Sequence, residues 1–314
     1  MKRYIPAILL AGCFAFTSCY DSVLDYKGNA NEENNGGNSS SEGALASVEQ
    51  AVGFLRQAQM LVIDAREHKY QFQCSFIGDD PVGYVSSPHN FDGRLVSSLA
   101  YYSNFASGPE ANLRWLTQQV VPVMRSQETL GINPLSAFAS ILFSDEALQY
   151  TNTHGPMPLK DYKVLKEKHP LTYEKQSEVY AQLFADLVRA DSLLADYAQH
   201  PDARLDDYIV STDRLTQRTT AKDIVTQWRK YANSLILRMA MTAVNVDGYT
   251  VSINGEEKTM RQLAEEAVGR GVLEPGDKPI ALVCGSGTDV GYHPLYKIAN
   301  NWVDARLNAN YHNY

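Results

Sequence analysis

The chain has 314 residues, with 28 Lys and Arg against 36 Asp and Glu, for a formal net charge of −8. Phosphate backbones are bound by clustered basic residues, so this balance argues against a nucleic-acid partner. Beyond the amino-terminal segment no second long apolar run occurs, so no membrane-crossing helix is expected in the body.

Met1-Lys2-Arg3 supplies two positive charges, and Tyr4 to Phe16 is almost uncharged and mostly apolar. Phe16-Thr17-Ser18-Cys19 then sets small residues directly before a cysteine. That order reads as a secretory signal whose cleavage leaves Cys19 as an acylated amino terminus. The apolar run of about 13 residues is short of the roughly 20 a spanning helix needs. Cys13, in Leu10-Ala11-Gly12-Cys13, is the alternative acceptor. It sits in the better general lipoprotein box, but cleavage there leaves an apolar core of only about eight residues. Lys27 to Gly43 is almost wholly Gly, Asn, Ser and Glu, with Ala30 alone apolar. Such a stretch buries too little surface to offset its ordering entropy, and is expected to be a leash. The expected organisation is a signal peptide over 1–18, a lipidated tether over 19–43 and a folded body over 44–314.

The body reads as helix after helix. Val48, Val52, Leu55, Ala58, Val62 and Ala65 recur at steps of three and four. A weaker helix spans Glu110 to Val121, with Pro122 closing it. The stretch from Gln71 to Pro109 between them reads as a loop, too long for a mere connector. Asn133-Pro134 starts the next helix, Asn as cap and Pro in the first turn. Leu135, Phe138, Ile141, Leu142 and Leu148 occupy one side of it, and Gly155 ends it. Val179, Leu183, Leu187, Ala190 and Leu194 mark a helix over Lys175 to Tyr197, with Glu174 and Glu178 at its positive end. Thr220 caps a helix over Ala221 to Ala243, with Trp228, Tyr231, Leu235 and Met239 as its buried stripe. Asn233 and Arg238 lie off that stripe, free to meet loop carbonyls or an acidic partner. Tyr249 to Ile253 alternates into the Asn254-Gly255 hairpin turn, and Thr259-Met260-Arg261-Gln262 has capping-box spacing for a helix ending at Gly269 or Gly271. The expected class is mainly α: stacked, TPR-like helix pairs with long loops and one or two minor hairpins, without a strict repeat period.

Catalytic signatures are weak. Asp79-Asp80 is adjacent in sequence, points to opposite sides if extended, and reads as a turn or a solvated pair before Pro81. Gly285-Ser286-Gly287-Thr288-Asp289-Val290-Gly291 lacks the lysine and hydroxyl residue of a phosphate loop. The seven His residues lack ligand spacing; His154 and His169 sit in turns and His293 precedes Pro294. Neither a nucleophile elbow nor a His-Glu-x-x-His helix occurs. The reading is therefore a non-enzyme with no metal and no cofactor. Beyond the signal only Cys74 and Cys284 remain, and a disulfide and two separate thiols both stay open.

Three stretches carry a family resemblance. Tyr150-Thr151-Asn152-Thr153-His154-Gly155-Pro156-Met157-Pro158-Leu159 resembles the helix-to-turn segment of SusD/RagB-type nutrient-binding lipoproteins. Leu171 to Leu187 is similar to that family's next helix, and Trp228-Arg229-Lys230-Tyr231-Ala232-Asn233-Ser234-Leu235-Ile236-Leu237-Arg238-Met239-Ala240-Met241 resembles its most recognisable segment. The pattern is closer to the SusD-like subgroup than to the starch-binding founder. The resemblance implies a helical lipoprotein on the outer face of a Bacteroidetes outer membrane. It also implies capture of glycans, or sometimes peptides, for a SusC-like TonB-dependent transporter. Asn301 to Tyr314 resembles a mid-chain segment after which family members continue, so the chain is expected to be carboxy-terminally truncated. A helical adaptor for another envelope protein, and a peptide-binding lipoprotein, are the alternative readings. Glycan capture calls for aromatic faces flanked by amides and carboxylates, and Gln71 to Trp115 supplies that mixture. Tyr84, Phe91, Tyr101 and Tyr102 are the candidate ligand contacts.

Overall fold

A computed structural model describes residues 44–88, 104–165, 170–285 and 291–313. Ser47 accepts from the Gln50 amide to start α1 (Val48–Val62), which buries Ala51, Leu55, Ala58 and Val62. Ala65 lies past its end, because Ile63 turns extended. A short α2 (Glu67–Tyr70) runs straight into π-helical turns over Gln71–Asp79, where a loop was expected. The two-residue β1 (Val85–Ser86) follows.

α3 spans Asn104–Arg125, longer than its periodicity indicated at both ends. Pro109 and Pro122 lie inside it. Burial of Val120, Val121 and Val123 around Pro122 outweighs the missing amide that would otherwise end the helix. After a single turn, α4 (Gln127–Leu130), comes α5 (Asn133–His154). Its N-cap is Ile132; the Asn133 side chain instead accepts from Gln127 at 3.1 Å. α5 is buried around most of its circumference rather than on one side, because α3, α7 and α1 all pack on it. Gly155 then takes a positive φ of 80° and stops it.

Beyond the one-turn α6 (Leu159–Lys163), α7 (Gln176–Gln199) begins with Glu178 accepting from the Lys175 amide at 2.9 Å. Glu174 is buried and does not serve the helix end; its backbone bridges Met157 and fixes the turn. α8 (Ala203–Thr212) folds back onto α1. α9 (Ala221–Ala243) starts at the expected Thr220 cap and is followed by the hairpin β2 (Thr250–Ile253) and β3 (Glu256–Thr259). α10 (Met260–Arg270) starts at the expected Thr259–Gln262 box and ends at Gly271. The last described segment holds α11 (Pro294–Lys297), a π turn over Ile298–Trp302, β4 (Arg306–Leu307) and α12 (Ala309–His312).

The long helices pack in chain order: α1 on α3, α3 on α5, α5 on α7, α7 on α9 and α9 on α10. Each buries its stripe against its sequence neighbour, which is the construction of a helical repeat stack. The core runs along the α5–α7 and α7–α9 packings, and α5 meets α9 where the Trp228 ring stacks on Phe138 with centroids 4.2 Å apart. Tyr231, Leu235 and Met239 complete the expected buried stripe. Asn233 is also fully buried, because α9 has α7 on one flank and α10 on the other. It donates to Asp191 at 3.1 Å and accepts from Arg270 at 2.9 Å, while Arg238 lies 3.8 Å from Asp145. Both residues therefore have the acidic partner that their position off the stripe allowed.

Candidate functional site

Residues 292–313 form a strap that returns to the segment 67–87. Glu67, His68 and Tyr70 of α2 each make specific contacts with it. Glu67 pairs with Lys297 at 3.1 Å and accepts from Tyr292 at 3.1 Å. His68 lies against the Trp302 ring at 4.7 Å, and Tyr70 meets His293 edge-on at 5.0 Å. Gln71 donates to Asp304 at 2.8 Å. Further along, β1 and β4 pair antiparallel, Val85 opposite Leu307 and Ser86 opposite Arg306.

At the outer end of this ribbon two rings stand together. Tyr84 is 53% exposed and Tyr311 is 54% exposed, with centroids 5.3 Å apart and planes at 70°. Val82 and Leu307 are exposed beside them in sequence. An edge-to-face pair leaves ring faces open to solvent, a favourable geometry for rings but a costly exposure of apolar area. Asn308, Asn310 and Asn313 bring amides to the same short strap segment.

Behind the ribbon lies a cleft of about 210 Å³, lined by Gln71, Ser75, Asp80, Val85, Asp304 and Ala305 among others. Much of that volume opens to solvent, and the enclosed part holds little beyond a water-sized body, too little for a sugar ring. Asp80 is buried rather than solvated, and that burial raises its carboxyl above the usual range.

A second polar cluster is structural. Lys69 is buried between Glu146 at 3.0 Å and Asp64 at 3.3 Å. Burial alone would lower its ammonium, but the two carboxylates outweigh that and hold it above the ordinary lysine value. Cys74 donates its thiol proton to Asp64 at 3.0 Å. Burial first, then Asp64, push that thiol upward, opposite to the shift of a reactive cysteine. Cys74 and Cys284 are not joined. Among the described residues no group of three or more His, Cys, Asp and Glu side chains is arranged to hold a metal ion. No described helix is long and apolar enough to cross a membrane.

Of the four candidate ligand contacts, Tyr84 stands at this exposed pair. Phe91, Tyr101 and Tyr102 lie outside the described residues, as do Cys19, Cys13, His169 and most of the glycine-rich stretch after Gly285. Tyr311 and Asn308 were not singled out from sequence. Two-residue strands carry no readable alternation, and the pairing of β1 with β4 spans more than two hundred positions.

A serial stack of helix pairs with minor hairpins defines a TPR-like α-helical scaffold. A sequence profile described as SusD-like, Susd and RagB outer membrane lipoprotein, matches residues 25–314. The chain belongs to this SusD-like family of outer membrane lipoproteins. Among solved structures, a chitin-binding SusD homolog from Flavobacterium johnsoniae is similar with a TM-score of 0.65 and 23% identity, over 82% of this chain and 50% of that one. SusD homologs from Bacteroides ovatus and Bacteroides thetaiotaomicron each give a TM-score of 0.62 and 23% identity, over 82% of this chain and 48% of theirs. The chain thus spans about half the length of the solved structures it matches. No curated protein matches it.

Proposed function

We propose that this chain is a cell-surface lipoprotein, acylated at Cys19, that captures a glycan and passes it without turnover to a SusC-like TonB-dependent transporter in the outer membrane. Membership of the family supports the class of ligand and the compartment. The observation that carries the site is the exposed Tyr84–Tyr311 pair on a ribbon bordered by amides. A pyranose offers an apolar C–H face and a rim of hydroxyls. An open tyrosine face covers the first, and neighbouring Asn groups hydrogen-bond the second. Phe91, Tyr101 and Tyr102 are further proposed ligand contacts. The order of the amino-terminal residues supports the anchor, since a mature Cys19 followed by a long polar leash would hold the helical body clear of the bilayer.

Isothermal titration of the mature full chain tests this, with the N-acetylglucosamine hexamer and a panel of plant and host oligosaccharides as probes. At least one probe should bind and be recovered intact. Tyr84→Ala and Tyr311→Ala should each weaken it by about tenfold, or about 1.4 kcal/mol, with the thermal midpoint nearly unchanged. Cleavage of the probe would remove the non-catalytic reading, and unchanged affinity in both variants would remove the ring pair.

A further inference from the structure

We infer that Asn308 is the positioning residue that sets the Tyr84–Tyr311 geometry and, through it, the affinity of the glycan site; the second half rests on the reading of that pair given above. Neither ring is held by an element that stands alone. Tyr84 precedes a strand of two residues, and Tyr311 sits on a helix of four. Ribbons and helices this short are unstable in isolation, so their relative placement has to come from specific ties.

Asn308 supplies four of them. Its amide donates to the Tyr84 carbonyl at 3.1 Å, and its own carbonyl accepts from the His312 amide at 2.9 Å. Its side-chain Nδ2 donates to Ser86 Oγ at 2.7 Å. Its Oδ1 accepts from the Asn310 amide at 2.9 Å and so caps α12. One residue thereby bonds to the backbone bearing the first ring, to the strand beyond it, and to the first turn of the helix bearing the second. Tyr84 is fixed from its own side by the turn at Gly83, with φ of 80°, and by donation from its amide to the Asp79 carbonyl at 2.9 Å. On the strap side, among the described residues, the β1–β4 ladder stops at Leu307, one residue short of Asn308 and the helix that bears Tyr311. Arg306 donates to the Ala299 carbonyl, which ties the strap to itself rather than to β1.

The side chain is separable from the backbone. Asn308→Ala deletes the bond to Ser86 and the cap while keeping both backbone bonds. Asn308→Asp keeps an acceptor for the Asn310 amide, and its second oxygen accepts from the Ser86 hydroxyl, which rotates to donate. Three measurements on the mature full chain test the assignment: titration with the best-binding oligosaccharide of the panel, amide exchange over 309–313, and the ring-to-ring NOE between Tyr84 and Tyr311 in selectively labelled protein. In Asn308→Ala the affinity should fall by about five- to tenfold, exchange should speed up and the NOE should weaken. Asn308→Asp should restore all three to within about twofold. Wild-type exchange and NOE in Asn308→Ala would overturn the positioning role. A lost NOE with unchanged affinity would overturn the link to binding. If wild-type protein binds no probe, the glycan reading fails and takes that link with it, while exchange and NOE still decide whether Asn308 sets the pair.

Discussion

The seam between α5 and α9 and the dock between the strap and α2 hold their parts together in opposite ways. At the seam, Phe138 and Trp228 are fully buried, and the indole also donates to Asp213 at 2.8 Å. Asp213 in turn accepts from the Thr216 hydroxyl at 2.7 Å, so burial and hydrogen bonding reinforce one another. At the dock, single polar or ring contacts reach across a narrow buried strip that includes Gln71, Ile298 and Ala305, while His68, Tyr84, Arg306 and Tyr311 around it are all exposed. Buried area sets the seam, and a chain of individual partners sets the dock. A substitution at the seam should therefore cost global stability, and one at the dock should cost local geometry.

The largest effect should follow Trp228→Ala. Removing a fully buried ring costs about 3–5 kcal/mol, and here it also leaves Asp213 without its indole donor. Urea unfolding should show the loss across the whole transition. A change below about 1 kcal/mol would mean that this ring pair adds little to the stability of the stack.

Next comes the polar node where α7, α9 and α10 meet. Asp191 is 3% exposed and takes Arg229 at 2.9 Å, Asn233 at 3.1 Å and Arg270 at 3.3 Å. Breaking a fully buried pair costs about 3–5 kcal/mol; both arginines keep some solvent, so Asp191→Ala should cost about 2–3 kcal/mol. Asp191→Asn, which keeps an acceptor, should cost less. Equal losses in the two variants would show that packing, not the charge, matters at this node.

These differences also explain what could be read from the sequence. α7, α9, the β2–β3 hairpin and α10 were legible because their signals are local: a stripe at helical spacing, Thr220 and Thr259 as caps, Asn254-Gly255 as a turn. α5 was recognised but its surroundings were not, since periodicity shows the strongest face and cannot reveal that three neighbours cover the others. The π-helical turns over Gln71–Asp79 were missed because their polar and apolar residues follow no ordinary helical period, and their register is fixed by Lys69 and Gln71 reaching distant acids. Half of the site failed for the same reason. Tyr84 stood out as an aromatic in a polar segment, whereas Tyr311 gains its meaning only from a pairing that no local pattern announces.

The smallest effect separates the two regions by acid. His154 closes α5, half-buried, with its ring 4.6 Å from that of Tyr150 and its Nε2 without a hydrogen-bond partner. Burial lowers its pKa below the ordinary 6.5, against a weaker upward pull from Glu110. The unfolded chain therefore binds the proton more readily than the fold does. This histidine's contribution is complete above the unfolded value and is lost as pH falls through and below 6.5 toward the folded one. Between pH of about 7.5 and 5.5 the unfolding midpoint in urea should drop slightly, and His154→Gln should flatten that part of the profile. Exchange at the 309–313 amides, corrected for its intrinsic pH dependence, should not follow His154→Gln, because the histidine sits on the stack and not on the dock. If the strap amides tracked that substitution, the two regions would be one cooperative unit and the contrast drawn between them would fall.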